Sequence, residues 1–160
     1  MILSKLLIIS GKCYKAGLAQ VLMRAALGRN RLAIKLINMP HIIIEHSSDI
    51  SSENTYNFLP EIQKTVASVK EGNFDLEACK ARAHSFEKYF VGSASCEKSS
   101  FFHITVKILE GRSMEIKKFL AQKILDEARR FLQDKELKER ADLSVDIVDM
   151  NRQAYQKISL

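Results

Sequence analysis

The chain has 160 residues, 46% hydrophobic and 28% charged, which suits one domain with a real core and excludes wholesale disorder. Its net charge of +6 divides unevenly: seven of the 25 Lys and Arg residues and none of the 19 acids fall in residues 1–38, leaving 18 bases against 19 acids, a net of −1, in residues 39–160. The body therefore has no basic surplus for a nucleic-acid backbone, and the scattered Cys13, Cys79 and Cys96, without CxxC or CxxH spacing, indicate neither a disulfide framework nor a zinc site and suit a reducing cytoplasm.

Residues 1–38 read as a basic amphipathic extension, and residues 39–160 as the folded domain. Leu6, Leu7, Ile8 and Ile9 form an apolar run. It is too short for a membrane span, which needs about 20 residues, or for a secretory core of about 7–15. Leu18, Val21, Leu22, Ala25 and Ala26 repeat at helical spacing, and Gly28 and Asn30 would end that helix. Three readings stand side by side. The segment is a mitochondrial-type targeting peptide, a genuine helical extension, or a stretch upstream of the true start codon at Met39.

Residues 40–46 predict a strand, and Ile42-Ile43-Ile44 favours burial on both faces. A polar turn at Ser47-Ser48-Asp49 leads to a helix over roughly 54–70. Phe58, Leu59, Ile62, Val66 and Val69 form its apolar stripe. Pro60 is expected in the first turn of that helix, because deeper inside it would break the hydrogen-bond ladder. Glu71-Gly72-Asn73 is the expected stop. Residues 78–90 alternate as a strand, with Cys79, Ala81, Ala83 and Ser85 on one face and Lys80, Arg82 and His84 on the other. Three potential cations on one strand face read either as a solvated surface or as an anion pocket.

A polar loop follows from Val91 to Ser100. Residues 101–109 predict the clearest strand: Phe102, Ile104, Val106 and Ile108 alternate with His103, Thr105 and Lys107. Ser113 is a good N-cap for a helix over roughly 114–133, striped by Ile116, Leu120, Ile124, Ala128 and Phe131. A charged connector, 135–140, leads to a strand over 142–149, and the tail from Asn151 adds a short helix or edge strand. Strand–helix–strand thus occurs twice. Two such units side by side predict an α/β (α+β) fold, a four-stranded sheet with both helices on one face. The other face would need cover from another subunit.

Met39-Pro40 carries the chemical question. If translation starts at Met39 and the methionine is trimmed, the Pro40 nitrogen is a secondary amine and a proton acceptor. If residues 1–38 stay attached, it is an amide without useful basicity. The four histidines, His41, His46, His84 and His103, fall on three predicted strands with no close ligand pair, so no metal site is expected. No GxSxG, P-loop or GxGxxG motif is present.

MPHIIIEHS at 39–47, KARAH at 80–84, SSFFHITVKILEGRS at 99–113 and KKFLAQKILDEA at 117–128 together resemble the 5-carboxymethyl-2-hydroxymuconate isomerase family of the tautomerase superfamily. The likeness covers essentially all of 39–160. It implies a duplicated βαβ fold assembled as a homotrimer, with no cofactor and no metal. It also implies a bacterial role in homoprotocatechuate degradation, a 4-hydroxyphenylacetate route. Its reaction is the movement of a proton along an unsaturated 2-hydroxy di- or tricarboxylate, with an amino-terminal proline, here Pro40, as the base. Arg112, in the GRS turn, and Arg82 match the family's basic positions and are expected to bind carboxylates. Lys80 stands where relatives often carry arginine, keeping the charge without the planar fork, and is expected to assist. The rival expectations are a non-catalytic anion-binding oligomer whose Pro40 is blocked by residues 1–38, and a tautomerase for another oxo-acid. The body is expected to bind neither nucleic acid nor membrane.

Overall fold

A computed structural model describes residues 7–9, 12–14, 39–92, 99–134 and 141–158. The chain divides into two compact units, Met1–Ile37 and Asn38–Leu160. In the first, β1 (Leu7–Ile9) pairs antiparallel with β2 (Lys12–Tyr14). The helical stripe expected over 18–26 lies outside the described residues.

The second unit runs β3 (His41–Ser47), α1 (Ser52–Ala67), β4 (Lys80–Phe86), β5 (Ser100–Leu109), α2 (Met114–Asp134) and β6 (Ala141–Met150). The sheet order is β4-β3-β5-β6. Both outer pairs are parallel, and β3 meets β5 antiparallel at the centre. This is the twice-repeated strand–helix–strand layout that the periodicity predicts. Each helix returns the chain to a strand parallel to the one before it, as a crossover must.

One sheet face carries the core. Ile42, Ile44, Phe102, Ile104, Val106 and Ile108 pack there against Phe58, Ile62 and Val66 of α1 and Leu120, Ile124 and Ala128 of α2. Phe58 and Phe131 stack with centroids 4.3 Å apart, bringing the two helices together over Phe102. Each such side chain taken fully out of water contributes about 1.5–3 kcal/mol. The other face is open. Residues paired across the ladders point the same way, so it carries His41, Ile43 and Glu45 beside Lys80, Arg82 and His84 on one flank. On the other flank stand Lys107, Thr105 and His103. Ile43 is half-buried there, so the isoleucine run is not buried on both faces as expected; alternation wins over composition.

The structure also corrects the reading of α1. Pro60 lies inside the helix, not in its first turn, because α1 begins at Ser52. Proline lacks the N–H that the Tyr56 carbonyl would otherwise receive. Tyr56 is 70% exposed and Pro60 is exposed too, so water is at hand on that side. The helix starts early because the Ser51 hydroxyl accepts the Asn54 N–H at 3.3 Å. Ser51→Ala is expected to lower stability by about 1 kcal/mol, read as a shift of the urea midpoint at constant slope.

The α-helix ends at Ala67, and the left-handed residue after the following 3₁₀ turn is Asn73 (φ 49°), not a glycine. A second 3₁₀ turn, Leu76–Ala78, delays β4 to Lys80. Its Asp75 side chain accepts the Glu77 N–H at 3.2 Å. The tail after Asn151 forms a turn, neither helix nor strand. Among the described residues, no helix is long and apolar enough to cross a membrane.

Candidate active site

Pro40 is buried at the head of β3. Its carbonyl accepts the Lys80 N–H at 3.0 Å, which fixes the start of β4 beside it. In the chain as written, its nitrogen is acylated by Met39, itself only 1% exposed. The next residue, His41, pairs in register with Lys80 on one side and Lys107 on the other. Burial, and then the charges of Lys80, Arg82 and Lys107 in that order, push the His41 imidazole below its ordinary titration range. A proton one residue from Pro40 is thus opposed by three cations on the two strands that flank β3, Lys80 and Arg82 on β4 and Lys107 on β5. The sequence pointed to Lys80 and Arg82. Lys107 was not singled out, although its alternation with Thr105 and His103 placed it on the same face.

The far half of the face is different in kind. His103 hydrogen-bonds Ser144 at 2.7 Å and Thr105 at 3.1 Å, and Glu45 lies opposite His84. His46 is buried on the core side, donating Nδ1–H to the Ser47 carbonyl at 2.9 Å and stacking on Phe102. Among the described residues no three His, Cys, Asp or Glu side chains are grouped to hold a metal ion. Cys79 is buried, and that burial pushes its thiol up to about 11, so at neutral pH it is not a nucleophile.

Arg112 sits in the turn after β5, which Gly111 enters at φ +110°, a conformation that side chains disfavour. Its guanidinium donates twice to the Gly72 carbonyl, at 3.3 and 3.2 Å, and once to the Leu109 carbonyl at 2.7 Å. It also lies 5.3 Å over the Phe74 ring. Burial, then the neighbouring Arg152, lowers its affinity for its proton, and Asp149 opposes that shift. These contacts tie the turn to the loop that feeds β4. The open-face cations, by contrast, act together on His41. Three hollows on the described surface lie away from Pro40: about 370 Å³ between α1 and α2, about 540 Å³ beside Glu45, Phe86, Tyr89 and Phe101, and about 530 Å³ between α2 and β6.

A mixed four-stranded sheet built from two β-α-β units, with both helices on one face and a proline heading a central strand, defines a tautomerase-like fold. The profile of the 5-carboxymethyl-2-hydroxymuconate isomerase family matches residues 40–159, and the chain belongs to that family. Solved structures agree on the fold. A 5-carboxymethyl-2-hydroxymuconate isomerase from Deinococcus radiodurans R1 is similar at 21% identity and TM-score 0.64, over 79% of this chain and 94% of that one. A 5-carboxymethyl-2-hydroxymuconate delta-isomerase is similar at 16% identity and TM-score 0.68, over 79% and 91%. A fused 4-OT wild-type symmetric trimer is similar at 15% identity and TM-score 0.55, over 69% and 85%. No curated protein matches the sequence.

Proposed function

We propose that the chain, once its amino terminus is Pro40, is a cofactor-independent isomerase of the 5-carboxymethyl-2-hydroxymuconate delta-isomerase type. The Pro40 amine takes the proton from the 2-hydroxy group of an unsaturated polycarboxylate and returns it to a carbon farther along the conjugated chain. Lys80 and Arg82, with Lys107, hold carboxylates and offset the negative charge that builds up on the dienolate. The observation that carries this reading is the register that sets Lys80 and Lys107 on either side of His41, the residue after Pro40, with Arg82 two residues along β4. The burial, and then the cations, that make His41 hard to protonate would also keep a free Pro40 amine neutral.

A homotrimer belongs to this proposal. The half-buried Ile43 and the rest of the open face would meet a second copy, and a protein of similar fold is a symmetric trimer. The test is an ultraviolet assay of enol loss on several unsaturated 2-hydroxy acids, run on protein whose amino terminus has been read by mass spectrometry. Turnover of dicarboxylates well above that of monocarboxylates is expected. Preference for a different oxo-acid would move the substrate assignment but keep the chemistry. Arg82→Ala is expected to raise KM for the dicarboxylate roughly tenfold, the loss of one charge-assisted contact, with a smaller change in kcat.

One observation favours a second reading. Met39 is buried and its carbonyl blocks the Pro40 nitrogen in the chain as written. A natural protein that keeps residues 1–39, binds dicarboxylates and turns none over would be a non-catalytic anion-binding member of the fold.

A further inference from the structure

The segment after β6 is docked on the same end of the sheet as Pro40. Asn151 Oδ1 accepts the N–H groups of Gln153 and Ala154 at 2.9 and 3.0 Å, which turns the chain back. Arg152 anchors that turn: its N–H donates to Glu110 Oε1 at 2.9 Å and its guanidinium to the Glu110 carbonyl at 3.0 Å. Two contacts then bracket the proline. Tyr155 shares a 3.0 Å hydrogen bond with His41 Nε2, and the two rings meet edge-on with centroids 6.0 Å apart. Lys157 Nζ donates to Met39 Sδ at 3.0 Å. The residue before Pro40 and the residue after it are therefore both held by one seven-residue stretch, 151–157.

The Lys157 contact is chemically odd. A thioether is a weak acceptor and brings no negative charge to an ammonium. The ion pairs among the described residues involve other lysine and arginine side chains. The sulfur that Lys157 touches belongs to the residue whose departure would free the Pro40 nitrogen. When Met39 leaves, the ammonium loses this partner and faces the space beside the new amine.

We propose that residues 151–157 form a wall of the active site and that Lys157 binds a substrate carboxylate in the place Met39 vacates. Tyr155, through His41, positions that wall. This rests on the reading of Pro40 as the amino terminus. The substrate class it selects is a dicarboxylate that reaches from the Lys80, Arg82 and Lys107 cluster, across the proline nitrogen, to Lys157. A monocarboxylate can use one anchor only. Lys157 would also add a positive neighbour to the amine and favour its neutral form.

The experiment uses the natural protein, its amino terminus read by mass spectrometry, with Lys157→Ala, Lys157→Arg and Tyr155→Phe made in the same gene. Muconate and sorbate, an unsaturated dicarboxylate and its monocarboxylate counterpart, are titrated calorimetrically, and turnover is followed separately. Lys157→Ala is expected to weaken muconate roughly tenfold and sorbate several-fold less. Lys157→Arg restores most of the muconate affinity, and Tyr155→Phe shifts it in the same direction as Lys157→Ala. In turnover, Lys157→Ala moves the acid limb of kcat/KM to higher pH. Equal losses for muconate and sorbate, or none, overturn the proposal. So does a protein that begins before Pro40 and whose muconate affinity ignores Lys157. A Pro40-led protein that shows the Lys157-dependent muconate affinity without any turnover supports this inference and overturns the isomerase reading instead.

Discussion

Protein beginning at Pro40 is expected to isomerise its substrate about 10²–10⁴-fold faster than protein carrying residues 1–39, the usual contribution of a positioned general base. The cause is the state of one nitrogen. Acylated by Met39, its lone pair is shared with the carbonyl and accepts no proton. Freed, it is a secondary amine whose ring fixes the lone-pair direction. An ordinary α-amino group titrates at about 7.7–8.0. Burial of Pro40 and the three cations that act on its neighbour both disfavour the protonated amine, so the acid limb of kcat/KM should lie below that range. The sign is fixed by the role: the neutral amine is the base, so the rate rises with pH and then levels. Arg82→Ala or Lys80→Ala removes a positive neighbour and should move the limb upward. Intact mass, a pH–rate profile and a Pro40→Gly comparison check this. An active protein with residues 1–39 still attached would remove Pro40 from the mechanism.

The fold was legible where burial repeats with a strong period. In β5, Phe102, Ile104, Val106 and Ile108 all face the core and are no more than 1% exposed, and the alternation alone placed them. The stripe Leu120, Ile124 and Ala128 located α2 in the same way. Local exceptions were not legible, because tertiary surroundings decide them. Pro60 is tolerated in mid-helix because that side of α1 faces water, and Ile43 faces outward in a run of isoleucines because a strand must alternate. Of the candidate site, Pro40, Lys80, Arg82 and Arg112 stand out in the sequence through the family resemblance, and the alternation of β4 sets Lys80 and Arg82 on one face. Lys107 was visible in the pattern but carried no distinguishing sign. Tyr155 and Lys157 could not be found, since their proximity to Pro40 depends on how the Asn151 turn folds the chain back across the sheet end.

Arg112→Ala is expected to lower stability by about 2–4 kcal/mol, because two backbone carbonyls lose a charged donor at once. The family resemblance gives Arg112 a carboxylate; its geometry gives it Gly72 and Leu109. These roles make different forecasts. A ligand-binding arginine on the surface, once truncated, leaves the urea midpoint nearly in place and raises KM for dicarboxylates. An arginine that clamps the turn after β5 to the loop before β4 lowers the midpoint first. The consequence for catalysis is then indirect. Gly72 leads through Phe74 and the Leu76–Ala78 turn to Lys80, whose N–H holds the Pro40 carbonyl at 3.0 Å. Loosening that path lets the proline head drift relative to the cations, so kcat falls along with affinity. Arg112→Lys separates the two further. A lysine keeps a positive charge for a carboxylate but not the fork that reaches both carbonyls. Recovery of KM without recovery of the midpoint would mark a ligand-binding role. A midpoint that stays low together with a low kcat would mark the clamp, which is the result the Gly72 and Leu109 contacts lead us to expect.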